Sequence, residues 1–217
     1  MWHKVNKKRF YNQSLILKKN VIMMKKELFK IQSNTLKVNT GDVLMAEPFA
    51  NDFYFKRSVI LIIDHDSEGS LGIVINKRLS IPFNEIVQDF PEFKADVYLG
   101  GPVETDRIFF IHTVGELIPD SYYICNGIYW SSNLNALKAL IKTNLIKPHE
   151  VRFYVGYSGW EAGQLRTELK ANIWLVGKFS FKDILSTNPK DMWNTFVDKM
   201  GEKYSLWSKF PVDPSEN

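Results

Sequence analysis

The sequence predicts an α+β fold, and three observations carry that prediction. From about Gly41 short apolar runs alternate with turn residues, the earliest runs follow one another in hairpin order, and helical periodicity arrives mostly later. A doubly wound sheet would instead alternate strand and helix from the start.

The elements follow in order. "DVLMAEP" reads as a strand stopped by Pro48. "SVILIIDH" holds five consecutive aliphatics, Val59 to Ile63, which predicts a strand covered on both faces. The turn "DSEGS" and the strand "LGIVINKR" complete a hairpin in which Gly69 is available for a positive φ. In "IPFNEIVQDF", Phe83, Ile86, Val87 and Phe90 are spaced for one face of a short helix. "ADVYLGG", "RIFFIHT" and "SYYICNGIYW" are three further strands. A helix follows over about Ser132 to Leu145, with Leu134, Leu137, Ala139, Leu140 and Ile141 inward, and then the strand "EVRFYVGY". "WEAGQLRTELKAN" predicts a helix with Ala162, Leu165, Leu169 and Ile173 on one stripe, followed by the strand "IWLVGKF". "PKDMWNTFVDKMG" is the last helix, with Pro189 in its first turn and Gly201 closing it, and "WSKFPVDPSEN" is extended.

At 217 residues the chain fits one large domain, which buries enough surface to need no covalent staple. The single Cys125 excludes an internal disulfide and reads as a structural thiol. Residues 1–23 hold Lys4, Lys7, Lys8, Arg9, Lys18 and Lys19 and no acid; removing these six from 28 basic residues leaves 22 against 24 acidic ones. The basic balance therefore belongs to the tail. Residues 1–35 are expected to be a poorly ordered basic extension, or in part leader sequence before Met23 or Met24, and residues 36–217 a single domain. The tail lacks the apolar stretch of a secretory signal, and no run approaches the ~18 apolar residues of a membrane span. A cytoplasmic protein is the expectation.

Catalytic templates fail one by one. In "VGYSGWEAGQL" Gly156 and Ser158 fit a nucleophile elbow, but the second glycine falls one place early at Gly159 and Trp160 crowds the position it should hold. The glycines at 156, 159 and 163 do not match a dinucleotide fingerprint, and no Walker loop occurs. The stretch is expected to be a tight strand-to-helix turn, with Gly156 and Gly159 giving the turn and Gly163 close packing of the helix. "DHDSEGSLGIVI" begins like a calcium loop but places Ile75 where the closing glutamate belongs. His3, His65, His112 and His149 show no zinc spacing, although His65 and His112 each end a strand and could face one cleft. "RFYVGY" matches only the tail of an RNA-recognition signature. Glu161, Gln164 and Glu168 fall on one helical stripe, read as solvated or partner-facing.

The stretches "DFYFKRSVILIIDH", "GSLGIVINK", "YLGGPV", "IHT", "GYSGWEAGQLRTEL", "IWL" and "FPVDPSEN" run in the order found in the YqgE/AlgH family of bacterial proteins, which the chain resembles from about residue 36 to its end. The resemblance implies a mixed, largely antiparallel sheet curled into a partly open, barrel-like body with flanking helices. It also implies a cytoplasmic protein under the label of transcriptional regulator, although no DNA-reading element is legible. Relatives often carry alanine in place of Ser158, and Glu161 and Arg166 stand where glycine and an acid are usual. The basic N-terminus lies outside the pattern.

The leading expectation is a non-enzymatic binding or regulatory protein without metal or cofactor. Its contact surface is expected to include His65, Asn76, Tyr157, Ser158, Trp160, Gln164 and Glu168, and its partner to be a protein or a small anionic ligand. The alternatives are a hydrolase-like enzyme using strand-end groups such as His65 or Glu168, and nucleic-acid binding through the N-terminal tail alone.

Overall fold

The computed structural model describes residues 32–50 and 52–210. By compactness the chain divides into Met1–Gln32 and Ser33–Asn217, and the described elements lie in the second unit. The expectations for residues 1–31 of the basic tail and for residues 211–217 fall outside the described residues.

Among the described residues nine strands form one sheet: β1 (Val43–Ala46), β2 (Val59–His65), β3 (Gly69–Val74), β4 (Val97–Leu99), β5 (Val103–His112), β6 (Tyr122–Cys125), β7 (Ile128–Ser131), β8 (Val151–Glu161) and β9 (Trp174–Gly177). Their order is β6-β7-β5-β8-β3-β2-β1-β9, and β4 adds to β8 as the parallel pair in an otherwise antiparallel ladder. The sheet curls without closing. Tyr122 of the edge strand β6 donates its hydroxyl to Asp64 Oδ1 at 3.2 Å, and a Cβ built on Gly41 would lie 2.7 Å from that of Cys125, yet among the described residues no backbone ladder joins the two edge strands β6 and β9. The α+β class with a curled sheet is therefore the observed fold.

The helices are α1 (Phe83–Ile86), α2 (Leu134–Lys142), α3 (Gln164–Lys170), α4 (Phe181–Ser186), α5 (Pro189–Lys199) and α6 (Glu202–Ser208). One core lies under α1 and α2, where Phe83 stacks on Phe153 at 3.7 Å beside Leu137 and Ile141. Another lies under α3, where Leu165 and Leu169 pack on Ile60, Ile62, Trp160 and Trp174. Met192, Trp193, Phe196 and Val197 of α5 are buried as well, and Trp193 donates its indole N–H to Ala46 O.

Several local expectations change. "SYYICNGIYW" is a hairpin rather than one strand, because Asn126 and Gly127 both take positive φ (47° and 80°), the conformation of a tight two-residue turn. Residues 202–208, which include Trp207 of the stretch expected to be extended, form α6 and bury Tyr204 and Trp207. Ala139 points outward. Gly69 does not supply a positive φ; it opens β3 where the Trp160 carbonyl would lie 2.5 Å from a Cβ.

The largest correction concerns "GYSGWE". It is no turn. β8 runs through it to Glu161, pairing Gly159 with Leu71 and Trp160 with Ser70. Ser158 and Trp160 face the core while Gly159 faces out, as period-two alternation requires. The chain turns only at Ala162–Gly163, with Gly163 left-handed (φ 75°) and open space around it, so it shapes the turn rather than admitting close packing. Glu161 consequently lies on the strand, and Ala162 is exposed instead of on the buried face of α3.

Candidate functional site

The turn after β8 places α3 over the sheet, and polar side chains fix it there. Gln164 Oε1 accepts from Glu161 N at 3.0 Å, and Gln164 Nε2 donates to Glu168 Oε1 at 2.9 Å. Glu168 Oε2 accepts both indole N–H groups beneath it, from Trp160 at 2.8 Å and from Trp174 at 2.6 Å. An indole nitrogen can only donate, so the carboxylate is the acceptor that lets two strands bury tryptophan side by side. Trp160, Gln164 and Glu168 are thus brought together, with their polar groups turned on one another.

The other expected surface residues are dispersed. Ser158 is buried (1% exposed), and its hydroxyl reaches Gly100 O at 3.3 Å. Tyr157 packs edge-on against Phe109 at 5.7 Å. Asn76 fixes the start of β2, accepting from Val59 N at 2.9 Å and donating to Arg57 O at 2.9 Å. His65 ends the same strand, so Asn76 and His65 mark opposite ends of β2.

His65 lines a cleft of about 380 Å³ between the β2–β3 hairpin, residues 36–39 and the start of α3. Its walls include Val38, Leu165 and Leu169, and its rim carries Lys37, Arg166, Asp66 and Glu161. Asp66 is committed to its own turn, accepting from Glu68 N and Gly69 N. Among the described residues neither Lys37 nor Arg166 makes an ion pair. His65 Nδ1 lies 2.7 Å from Ser70 Oγ in the same cleft. Lys37 and Ser70 carry no local motif that marks them in the sequence, because the cleft joins three segments distant along the chain. A larger cleft of about 640 Å³ lies beside Arg78, Ile81, Phe93 and Lys190. There Arg78 pairs with Asp96 at 2.6 Å and Lys94 with Glu92 at 3.4 Å, so four of its charged groups are engaged with one another and Lys190 is left over.

His112 does not share the cleft of His65. It is 1% exposed at the end of β5, stacked on Tyr129 with centroids 5.6 Å apart. The Ser121 hydroxyl donates to Ile118 O at 2.7 Å, so its oxygen accepts from Nε2–H of His112 at 2.8 Å. The ring is then the neutral Nε2–H tautomer, and Nδ1 has no partner among the described residues. Burial pushes its pKa from the ordinary 6.5 down to about 4. Between those values the unfolded chain takes up the proton that the folded one refuses, so stability is expected to fall as pH drops through this window and to level off below it. The loss is about 1–2 kcal/mol once solvent relaxation is allowed for. Urea denaturation at several pH values, on wild type and His112→Gln, checks this: the variant should lose that part of the slope, and parallel curves would remove His112 from the account.

Among the described residues no group of three or more His, Cys, Asp or Glu side chains is placed to hold a metal ion, and no helix is long and apolar enough to cross a membrane. Cys125 is free and half-buried, and burial raises its pKa, which favours the unreactive thiol.

Known proteins share this architecture. A family model described as AlgH-like matches residues 43–205. A UPF0301 protein from Bacteroides thetaiotaomicron is 42% identical over 192 residues, covering 88% of this chain and 97% of its own length. One from Parabacteroides distasonis is 41% identical over 194 residues, covering 88% and 98%. The solution structure of the AlgH protein from Pseudomonas aeruginosa superposes with a TM-score of 0.64 at 27% identity, over 79% of this chain and 94% of that one. A crystal structure from Corynebacterium diphtheriae superposes with a TM-score of 0.67 at 23% identity, over 84% and 97%, a likeness of fold alone. Family model, relatives and fold agree, and the chain belongs to the AlgH-like family.

Proposed function

We propose that this protein is a binding or regulatory protein whose ligand is a small organic anion held in the His65 cleft. One observation carries the reading: Lys37 and Arg166, which make no ion pair among the described residues although Asp66 and Glu161 share their rim, border a cleft whose walls include the apolar Val38, Leu165 and Leu169. A volume of about 380 Å³ suits a small molecule, and two unpaired cations beside apolar walls favour a carboxylate or phosphate on a hydrocarbon body. The polar groups nearest the supposed elbow are occupied elsewhere. Ser158 lies beneath the surface, and Glu168 holds two indoles.

Titration with inorganic phosphate, citrate and benzoate, followed by amide chemical shifts, tests the reading. At least one anion should give saturable shifts at Val38, His65 and Arg166, and Arg166→Glu with Lys37→Glu should weaken it by more than about tenfold, the loss of two charge-assisted contacts. Shifts scattered over the surface, or unaltered by both reversals, would remove the cleft.

A second reading, a hydrolase-like enzyme, is favoured by the contact between Ser70 Oγ and His65 Nδ1 at 2.7 Å, which resembles a nucleophile beside its base. No carboxylate bonds to His65 Nε2 among the described contacts, so the ring lacks the third group that orients a catalytic histidine. A fluorophosphonate separates the two readings: stoichiometric labelling of Ser70 that disappears in His65→Ala would establish the enzyme, and an unlabelled protein would leave the binding reading standing.

A further inference from the structure

Among the described residues the outer edge of β9 ends the sheet, and side chains rather than a strand close it. Asn34 Oδ1 accepts from Val176 N at 2.9 Å, and Asn34 Nδ2 donates to Val176 O at 2.7 Å. Ser33 Oγ donates to Trp174 O at 2.6 Å, and Ser33 N donates to Asn172 Oδ1 at 2.9 Å. The Asn34 carboxamide therefore answers both main-chain groups of one residue, as the facing residue of an antiparallel partner strand would. Its amide has the donor and acceptor set of a peptide group. Chemically, this edge is built to receive another backbone.

We infer that residues 33–34 form a strap over a strand-pairing edge, and that the occupant the edge accepts when the strap is lifted is β9 of a second copy of this chain. The hydrogen-bonding pattern specifies the register. Val176 points both N–H and C=O outward, so two copies related by a twofold axis exchange two bonds at Val176 facing Val176 of the second copy. Trp174 O then faces the main-chain N–H of Lys178 of the other copy. The two Lys178 residues stay about 14 Å apart along the strands, which avoids like-charge opposition. Trp174 to Gly177 are all buried, so their side chains already pack within the fold and nothing but the main-chain edge is left to offer.

The strap also accounts for restraint. Lifting it breaks four hydrogen bonds per copy, whereas a four-residue edge returns fewer, so the strapped form wins in the intact chain. A row of unpaired N–H and C=O groups pairs readily when its cover is lost.

The experiment is sedimentation velocity from low to high micromolar protein, with hydrogen exchange of the Val176 amide, on wild type, Ser33→Ala/Asn34→Ala and Asn34→Asp. Asn34→Asp keeps the shape but replaces the donor facing Val176 O with an acceptor, and far-UV circular dichroism confirms that each variant is folded. Wild type should protect Val176 at every concentration. In dilute solution both variants should exchange it at least about tenfold faster, as a locally opened edge does. On concentration they should form dimers and recover protection. Unchanged exchange in dilute variants would show that the strap does not close the edge. Variants that stay monomeric, or that dimerise without protecting Val176, would overturn pairing through β9.

Discussion

Replacing Glu168 with alanine is expected to cost about 3–4 kcal/mol of folding stability, from one half-buried helix position outside the His65 cleft. The carboxylate accepts from Trp160 and Trp174, which are 6% and 2% exposed. Truncation leaves two nearly buried indole N–H groups without an acceptor, at about 1–3 kcal/mol each, and frees Gln164 from its partner. Glu168→Gln retains one carbonyl oxygen and should recover roughly half of the loss. Urea denaturation measures both variants, and tryptophan emission locates the change, since water entering at the indoles shifts it to the red. A loss under about 1 kcal/mol for the alanine variant, with emission unchanged, would mean that the indoles find another acceptor and that the carboxylate does not hold α3 to the sheet.

The same residues show what a sequence conveys and what it withholds. The β2 strand was legible because a short run of five mostly β-branched aliphatics followed by turn residues suits an interior strand. The curl of the sheet was not derivable from periodicity and entered through the family resemblance. Glu168 was visible as part of a polar stripe, but a stripe does not say what lies beneath it, and here two strands place donors under the helix. The Asn126–Gly127 turn carries a two-residue hairpin signal in the sequence, but the aromatic residues on both sides mask it by reading as one continuous strand. The His65 cleft had no local signature: Lys37, His65 and Arg166 meet only through the pairing of β2 with β3 and β3 with β8. Sites assembled by tertiary contact leave little spacing to read.

The position of backbone strain gives the second large effect, and it moves the expectation by three residues. Gly159 was the expected strained turn residue; in the structure it is an exposed strand position whose built Cβ meets Tyr157 Cε2 at 3.6 Å and Val103 Cγ2 at 3.9 Å, ordinary contacts. Gly156 holds the strained setting instead, with φ at 68°. A Cβ there would lie 2.7 Å from both Gly101 O and Val103 O, at the irregularity where the β5–β8 register shifts between Val103 and Ile108. Those neighbours are main chain and cannot rotate away. Gly100 and Gly101 face the same crossing, with built Cβ atoms 2.1 Å from Gly156 O and 2.2 Å from Tyr157 O, so β8 and the β4–β5 turn touch backbone to backbone. Gly156→Val combines left-handed strain of about 1–3 kcal/mol with forced separation of that crossing, and should lose about 4 kcal/mol or fail to fold. Gly159→Val, on an exposed and extended residue, should change stability by less than about 1 kcal/mol, since valine suits a strand. Gly156→Ala is the gentler probe and should still cost more than Gly159→Val. Denaturation midpoints of the three variants decide the matter: if Gly159→Val proves the most damaging, β8 does not run straight through this stretch, and the placement of α3, Trp160 and the His65 cleft falls with it.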